Sequence, residues 1–186
     1  MLKQKAKEEY AIVLDFLPNG YPFDTRPGHK KTSIVQAVGK EYFVLLELTP
    51  KKDITVSNNE EVYIGDGKRD KIHFINGRLP TERLTETAKI ELNHIIESLV
   101  EKNEKKFVEF FNKAQPINTR RHQLELLPGM GKKHMQELLE AREVKEFDNF
   151  EDIKTRVKLM PDPKKTIVKR ILEELENKDR YKIFVG

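Results

Sequence analysis

Thr119-Arg-Arg-His-Gln-Leu-Glu-Leu-Leu-Pro-Gly-Met-Gly-Lys-Lys-His-Met-Gln-Glu-Leu-Leu-Glu-Ala-Arg142 decides the reading of this chain. Leu124 and Leu127 give an apolar edge to a first predicted helix, and Met135, Leu138 and Leu139 give one to a second. Only Pro128 to Gly131 stand between them, so the two helices must pack at a steep angle. Gly129 and Gly131 permit positive φ, or a close approach that a side chain would block. Met130 is placed to tuck between the helices and set the turn. The first N–H groups of the second helix have no intrahelical partner, and the helix dipole adds partial positive charge there. Across two glycines a phosphate oxygen can reach those groups directly. Lys132 and Lys133 add full charges, and Arg120 and Arg121, expected on the preceding helix, reach a neighbouring phosphate. Such contacts hold a nucleic-acid backbone and carry no base information.

A second, worn copy follows. Phe150, Ile153 and Val157 mark a helix, Met160 to Lys165 a turn, and Ile167, Val168, Ile171, Leu172 and Leu175 another helix. Pro161-Asp162-Pro163 stands where the first copy has Pro-Gly-Met-Gly, and Asp162 repels phosphate. This copy reads as a structural partner completing a compact four-helix unit. Lys164, Lys165, Lys169 and Arg170 remain candidates to face the nucleic acid.

Upstream, Leu84, Ala88, Leu92, Ile95 and Leu99 recur at spacings of three and four, predicting a helix over roughly Thr81–Lys102. Phe107, Phe110, Phe111 and Ala114 mark another, ended at Gln115-Pro116. The first 80 residues read instead as five short strands with no helix between them: Tyr10–Leu17, Ser33–Val38, Tyr42–Leu48, Glu61–Ile64 and Lys71–Ile75. That pattern predicts a small antiparallel barrel. An OB-type barrel is the usual five-stranded solution, and periodicity does not separate it from an SH3-like one. Arg180–Val185 reads as a strand expected to return to the barrel, because a lone strand is not stable in water. The fold class is therefore α+β: an OB-like β-barrel over 1–80, connecting helices over 81–115, a tandem helical hairpin domain over 116–178, and a C-terminal strand or tail over 179–186.

Composition sets the outer limits. The 186 residues carry 35 Lys and Arg against 31 Asp and Glu, for a net charge of +4. This mildly favours an anionic partner. With no cysteine, disulfides, thiolate metal sites and cysteine nucleophiles are excluded. Met1 to Glu9 is charged and has no apolar core, so it does not read as a signal peptide, and no stretch approaches a membrane span. A soluble, cytoplasmic protein is expected. The five histidines do not pair at ligand spacing with one another or with carboxylates, so no metal and no cofactor are expected. The barrel offers candidates for single-strand binding, where a basic groove and exposed aromatics work together. These are Tyr21, Phe23, Arg26, Lys30 and Lys31 in the long loop, and Lys68, Arg69 and Lys71 near the later turn.

Leu127-Pro128-Gly129-Met130-Gly131 resembles the helix-hairpin-helix family of non-specific DNA-binding modules. The resemblance implies Gly129, Met130 and Gly131 as amide donors to phosphate. A wider resemblance runs through Tyr10…Leu17-Pro18-Asn19-Gly20-Tyr21-Pro22, Gln36-Ala37-Val38-Gly39, Tyr63-Ile64-Gly65, Lys68-Arg69-Asp70 and the hairpin. It is similar to an uncharacterised archaeal family, the domain of unknown function 655, which pairs an OB-like N-terminal domain with a helix-hairpin-helix C-terminal domain. That implies a DNA or RNA backbone as partner and a link to translation, ribosomal or transcription machinery, and it supplies no reaction. Some relatives of the hairpin are base-excision glycosylases. Asp148 and Asp152 follow the hairpin here, but the lead-in sequence and room for a base pocket are missing, and no nucleotide-binding, nucleophile-elbow or zinc-protease motif is present. The expectation is a non-catalytic nucleic-acid-binding protein. The alternative is an adaptor docking on a ribosomal or polymerase partner.

Overall fold

The structure is a computed structural model that describes residues 7–186; the reading of the first six residues as part of a charged, non-signal N-terminus lies outside them. The chain divides into two compact units, one of residues 1–95 with 174–186 and one of residues 96–173. No helix among the described residues is long and apolar enough to cross a membrane.

The first unit is built on five antiparallel strands: β1 (Tyr10–Leu17), β2 (Ile34–Gly39), β3 (Leu45–Pro50), β4 (Glu61–Tyr63) and β5 (Ile72–Arg78), in the order β4-β1-β2-β3-β5. The sheet is curled, and its inner face closes on Ala11, Val13, Val35, Ala37, Leu46, Leu48, Val62 and Ile72. Among the described residues β4 and β5 are its edges and do not pair with each other, so the small antiparallel barrel expected from the sequence is a half-barrel. The three residues of β4 are too few to span the seam, and the chain after it turns on itself: the Gly67 amide donates to the Tyr63 hydroxyl and Arg69 Nε to the Gly65 carbonyl. Two strand ends also differ from expectation. β3 begins at Leu45, because Phe43 takes a positive φ, and β5 runs on through Asn76-Gly77 to Arg78, with the register shifting opposite Glu47-Leu48.

All of β2 is buried, including Gln36. Its amide donates to the Arg83 carbonyl at 2.8 Å and accepts from the Thr85 amide at 3.0 Å, so the chain leaving the sheet is tied to its centre. Thr85 donates to Asp15 and accepts from the Ala88 amide, which is an N-cap. That cap starts α1 at Glu86 (Glu86–Lys102), whereas periodicity predicts Thr81; a single 3-10 turn fills Thr81–Arg83.

The tail also departs from its reading. Residues 179–186 form no strand. Their amides go to a side chain: the buried Glu174 carboxylate accepts from Ile183, Phe184 and Val185 at 2.8, 2.9 and 2.9 Å. The tail does return to the sheet unit, where the Gly186 amide donates to the Tyr42 carbonyl and Arg78 donates to the Gly186 carbonyl. Glu8 plays the same part nearby. Burial pushes its pKa up, opposed by the amides of Glu41, Tyr42 and Val44, which it holds at 2.9, 2.7 and 3.4 Å.

The second unit carries α2 (Glu104–Lys113), two short paired strands β6 (Pro116–Asn118) and β7 (Arg121–His122), a 3-10 turn (Gln123–Leu126), and α3 (Lys132–Val144), α4 (Phe150–Arg156) and α5 (Pro163–Leu175). It is not the expected four-helix set, because the segment before Pro128 is not an α-helix. Pro116 lacks an amide hydrogen and favours extended backbone before it. Asn118 accepts the Arg120 amide at 2.8 Å, closing a tight turn, as Asx side chains do. Arginine and asparagine side chains lock the helix ends. Arg142 donates to the Phe111 and Ala114 carbonyls, Arg156 to Lys145, and Arg170 to Leu126, while Asn112 exchanges two hydrogen bonds with Phe147. Arg170, a candidate to face nucleic acid, is therefore buried in a structural contact.

Candidate nucleic-acid interface

The hairpin begins with a cap. His122 Nδ1 accepts the Leu124 amide at 3.1 Å, and Glu125 accepts the His122 amide at 2.7 Å. Burial holds the His122 pKa below its usual range, with the charge of Arg142 adding to the effect, so the ring is kept in the neutral form that can accept. The 3-10 turn ends at Leu127, and the Met130 amide donates to the Leu127 carbonyl at 3.0 Å. Proline second and a positive-φ glycine third make this a type II turn; Gly129 has φ of 78°. Leu124, Leu126, Leu127 and Met130 are all buried, so the turn is clamped by its own apolar side chains.

This geometry redistributes the predicted donors. The Met130 amide is consumed inside the turn and is not available to a ligand. Gly129 is required by the fold: besides its φ, a Cβ there would lie 3.0 Å from the Pro161 ring. Gly131 is different. It is the N-cap of α3 with φ of −82°, an ordinary backbone, and a Cβ there would meet nothing within 4 Å. The first intrahelical bond runs from the Met135 amide to the Gly131 carbonyl, and no side chain caps the helix. The amides of the first turn thus lie at an open end. Lys132 and Lys133 are exposed there, and among the described residues neither is hydrogen-bonded or ion-paired. Arg120 and Arg121 are not on a helix: Arg120 lies exposed in the β6–β7 turn and Arg121 half-buried in β7.

The second hairpin closes the corresponding position. Asp162 stands before α5 and accepts the Lys165 amide at 3.0 Å and the Lys154 ammonium at 2.8 Å. Burial alone would raise its pKa, but these bonds hold it below the usual carboxylate range.

In the sheet unit the candidates separate. Tyr21 is buried, its hydroxyl donating to Glu47 at 2.6 Å and accepting from Gln36 at 3.3 Å; burial and the Glu47 bond push its pKa up to about 12. It is a support and not a stacking platform. The exposed ring is Phe23, 67% accessible, stacked on Tyr21 at 4.8 Å between centroids. The Arg83 guanidinium lies 4.9 Å from the Tyr21 ring and 6.0 Å from that of Phe23, and composition and spacing did not single it out. Arg26 is committed to Asp24 in a fork, which draws the carboxyl down to about 2. Arg69 is held by the Gly65 carbonyl, and Lys71 pairs with Glu60. Lys30 and Lys68 are exposed, and Lys31 is half-buried.

A family model described as "Protein of unknown function (DUF655)" matches residues 7–186. The chain belongs to this family. It is 44% identical over 185 residues to an uncharacterised protein, MJ0038, of Methanocaldococcus jannaschii, covering 98% of this chain and 82% of that one. It is also similar to the crystal structure of Af1531 from Archaeoglobus fulgidus, with a TM-score of 0.86 and 47% identity over 96% of this chain and 100% of that chain. Both relatives come from archaea, as the sequence resemblance implies.

Proposed function

We propose that this protein is a non-catalytic binder of the sugar-phosphate backbone of nucleic acid, indifferent to base sequence. The observation that carries the reading is the start of α3. A glycine that the fold does not need leaves the first-turn amides uncapped, beside two unpartnered lysines. Water can satisfy such an end, but an anion satisfies it better, because amides, dipole and ammonium groups all favour negative charge. On this reading residues 123–144 act as a helix-hairpin-helix module whose first helix has shrunk to one 3-10 turn. The sheet is an OB-like barrel left open between β4 and β5, in keeping with the partly open form of that fold. Phe23 with Arg83, and Lys30 and Lys68, give it an exposed aromatic and cations of the kind that hold single strands.

Fluorescence anisotropy on a short labelled duplex, titrated across a range of salt, tests the reading. Binding is expected to weaken with salt, with a log–log slope of about 0.9 for each phosphate neutralised on DNA. Lys132→Ala and Lys133→Ala should each lower that slope by about one while affecting all sequences alike. No binding, or a flat salt response, would overturn the proposal and favour docking on a protein partner.

A further inference from the structure

Phe23, in the loop after β1, stands on a built support. Tyr21 beneath it is buried, and its hydroxyl is fixed between Glu47 at 2.6 Å and Gln36 at 3.3 Å. Gln36 is fixed in turn by the Arg83 carbonyl and the Thr85 amide. Phe23 lies flat on the Tyr21 ring, with 4.8 Å between centroids and 13° between planes, yet it is 67% exposed. Other exposed rings are held edge-on: Tyr10 meets Tyr63 at 65°, and Phe74 meets His73 at 81°. With Tyr21 behind one face of Phe23, the exposed area is the other face and the rim. The result is a flat aromatic surface, held in place and open to solvent.

Arg83 sets a charge beside that surface. Its guanidinium lies 4.9 Å from the Tyr21 centroid and 6.0 Å from that of Phe23. A cation on the far side of Tyr21 would be much farther from Phe23, so Arg83 stands alongside the stack and leaves the outer face clear. Its side chain is 47% exposed, and its pairing with Glu47 is loose, at 3.5 Å. Glu47 is itself engaged by Tyr21 and Asn76, and Asp24, next to Phe23, is engaged by Arg26. A flat apolar face with a cation at its side suits a partner that joins a planar ring to an anionic group, which describes a base and its phosphate. In a duplex each base face is covered by its neighbours, so the base that fits is an unpaired one.

We propose that Phe23 is a stacking site for an unpaired base of single-stranded nucleic acid, with Arg83 holding the adjacent phosphate. The inference rests on the backbone-binding reading above for its class of ligand, and it adds a site for single strands in the unit that does not contain the hairpin.

The test uses the full chain, labelled oligothymidylate and oligouridylate of about 12 nucleotides, and the labelled duplex. Wild type should bind all three. Phe23→Ala should melt as wild type does, keep its duplex affinity, and bind both single strands about tenfold or more weakly. Base and phosphate are common to DNA and RNA, so the two strands should lose alike. Phe23→Leu, apolar but not flat, should behave as Phe23→Ala does. Phe23→Trp should restore binding, and because the chain has no other tryptophan, its fluorescence should be quenched by the bound strand. Arg83→Gln should lower the salt slope for single strands by about 0.7. Single-strand binding at wild-type strength by Phe23→Ala or Phe23→Leu, or a Phe23→Trp signal that a bound strand leaves unchanged, overturns the stacking site and leaves the hairpin grip standing. Binding of single strands but not of duplex by wild type overturns the hairpin grip and leaves the stacking site standing. Failure to bind any of the three overturns both.

Discussion

The two hairpins of the second unit end in helices of equal length and differ in the residue that stands before each helix. Each leads into a helix of 13 residues, α3 after Gly131 and α5 after Asp162. Before α5 a carboxylate accepts a first-turn amide and pairs with a lysine, so the helix end is satisfied within the protein. Before α3 stands a glycine with no side chain to offer, in space that any side chain could fill. An Asp, Asn or Ser cap is worth only a few tenths of a kcal/mol over glycine, so leaving the α3 end uncapped costs the fold little. The contrast shows which glycine the fold depends on. Gly129 is held by its positive φ and by the Pro161 ring, whereas Gly131 takes an ordinary backbone in open space.

That division can be broken by substitution. The largest effect is expected at Gly129. Gly129→Val places a β-branched residue at positive φ against Pro161 and should destabilise the protein by about 2–3 kcal/mol, read as an earlier midpoint in denaturant titration. A Gly129→Val protein as stable as wild type would mean that the turn does not depend on this residue. Next comes Gly131→Asp, which converts the open end into a copy of the capped one. Its stability should equal or exceed wild type by a few tenths of a kcal/mol, while duplex affinity falls by about tenfold or more, since a carboxylate then occupies the place of a phosphate. Unchanged affinity in a filter-binding or anisotropy assay would remove the reason for treating the two hairpins differently. The smallest effect is at Asp162. Its folded pKa lies below the ordinary carboxylate value of 3.8, so the ionised form is favoured by folding. The stability this contributes is present above that ordinary value and is lost as pH falls through the lower folded one. Asp162→Asn keeps an oxygen for the Lys165 amide and removes the ion pair, so it should cost no more than about 1 kcal/mol near neutral pH. It should also flatten the acid limb of a thermal-melt series against pH, and a limb as steep as that of wild type would show that Asp162 is not its source.

Much of the candidate site could be read from residues alone, because its chemistry is local. Leu-Pro-Gly-Met-Gly demands a turn, its apolar residues fall where burial needs them, and two lysines after it need no distant partner to be exposed. The strands were likewise visible as alternation between Gly- and Pro-rich breaks. The errors have local causes too. The run before Pro128 has leucines at helical spacing, but Pro116 and Asn118 impose an extended stretch and an Asx turn, so Arg120 and Arg121 fall on a hairpin of strands. Asn118 two residues before Arg120 was the available signal. The motif makes Met130 a donor, but a type II turn needs that amide for itself.

By itself the sequence determined the class of most segments, though not of the stretch before Pro128 or of the tail, together with the position of the main hairpin turn and the membership of an archaeal family. These follow from periodicity, turn residues and short motifs, which act over a few residues. Tertiary structure alone decided which polar groups were already spent. It placed Arg142, Arg156 and Arg170 on backbone carbonyls, turned Tyr21 from an exposed platform into a buried support, set Phe23 and Arg83 together and gave the tail amides to Glu174. It left the half-barrel open between β4 and β5, because strand pairing depends on which edges meet. The same reason explains the hairpin. Glycine at 129 and at 131 look alike in a motif, and only the Pro161 ring packed against one and the open space beside the other separate a residue the fold requires from one it leaves free.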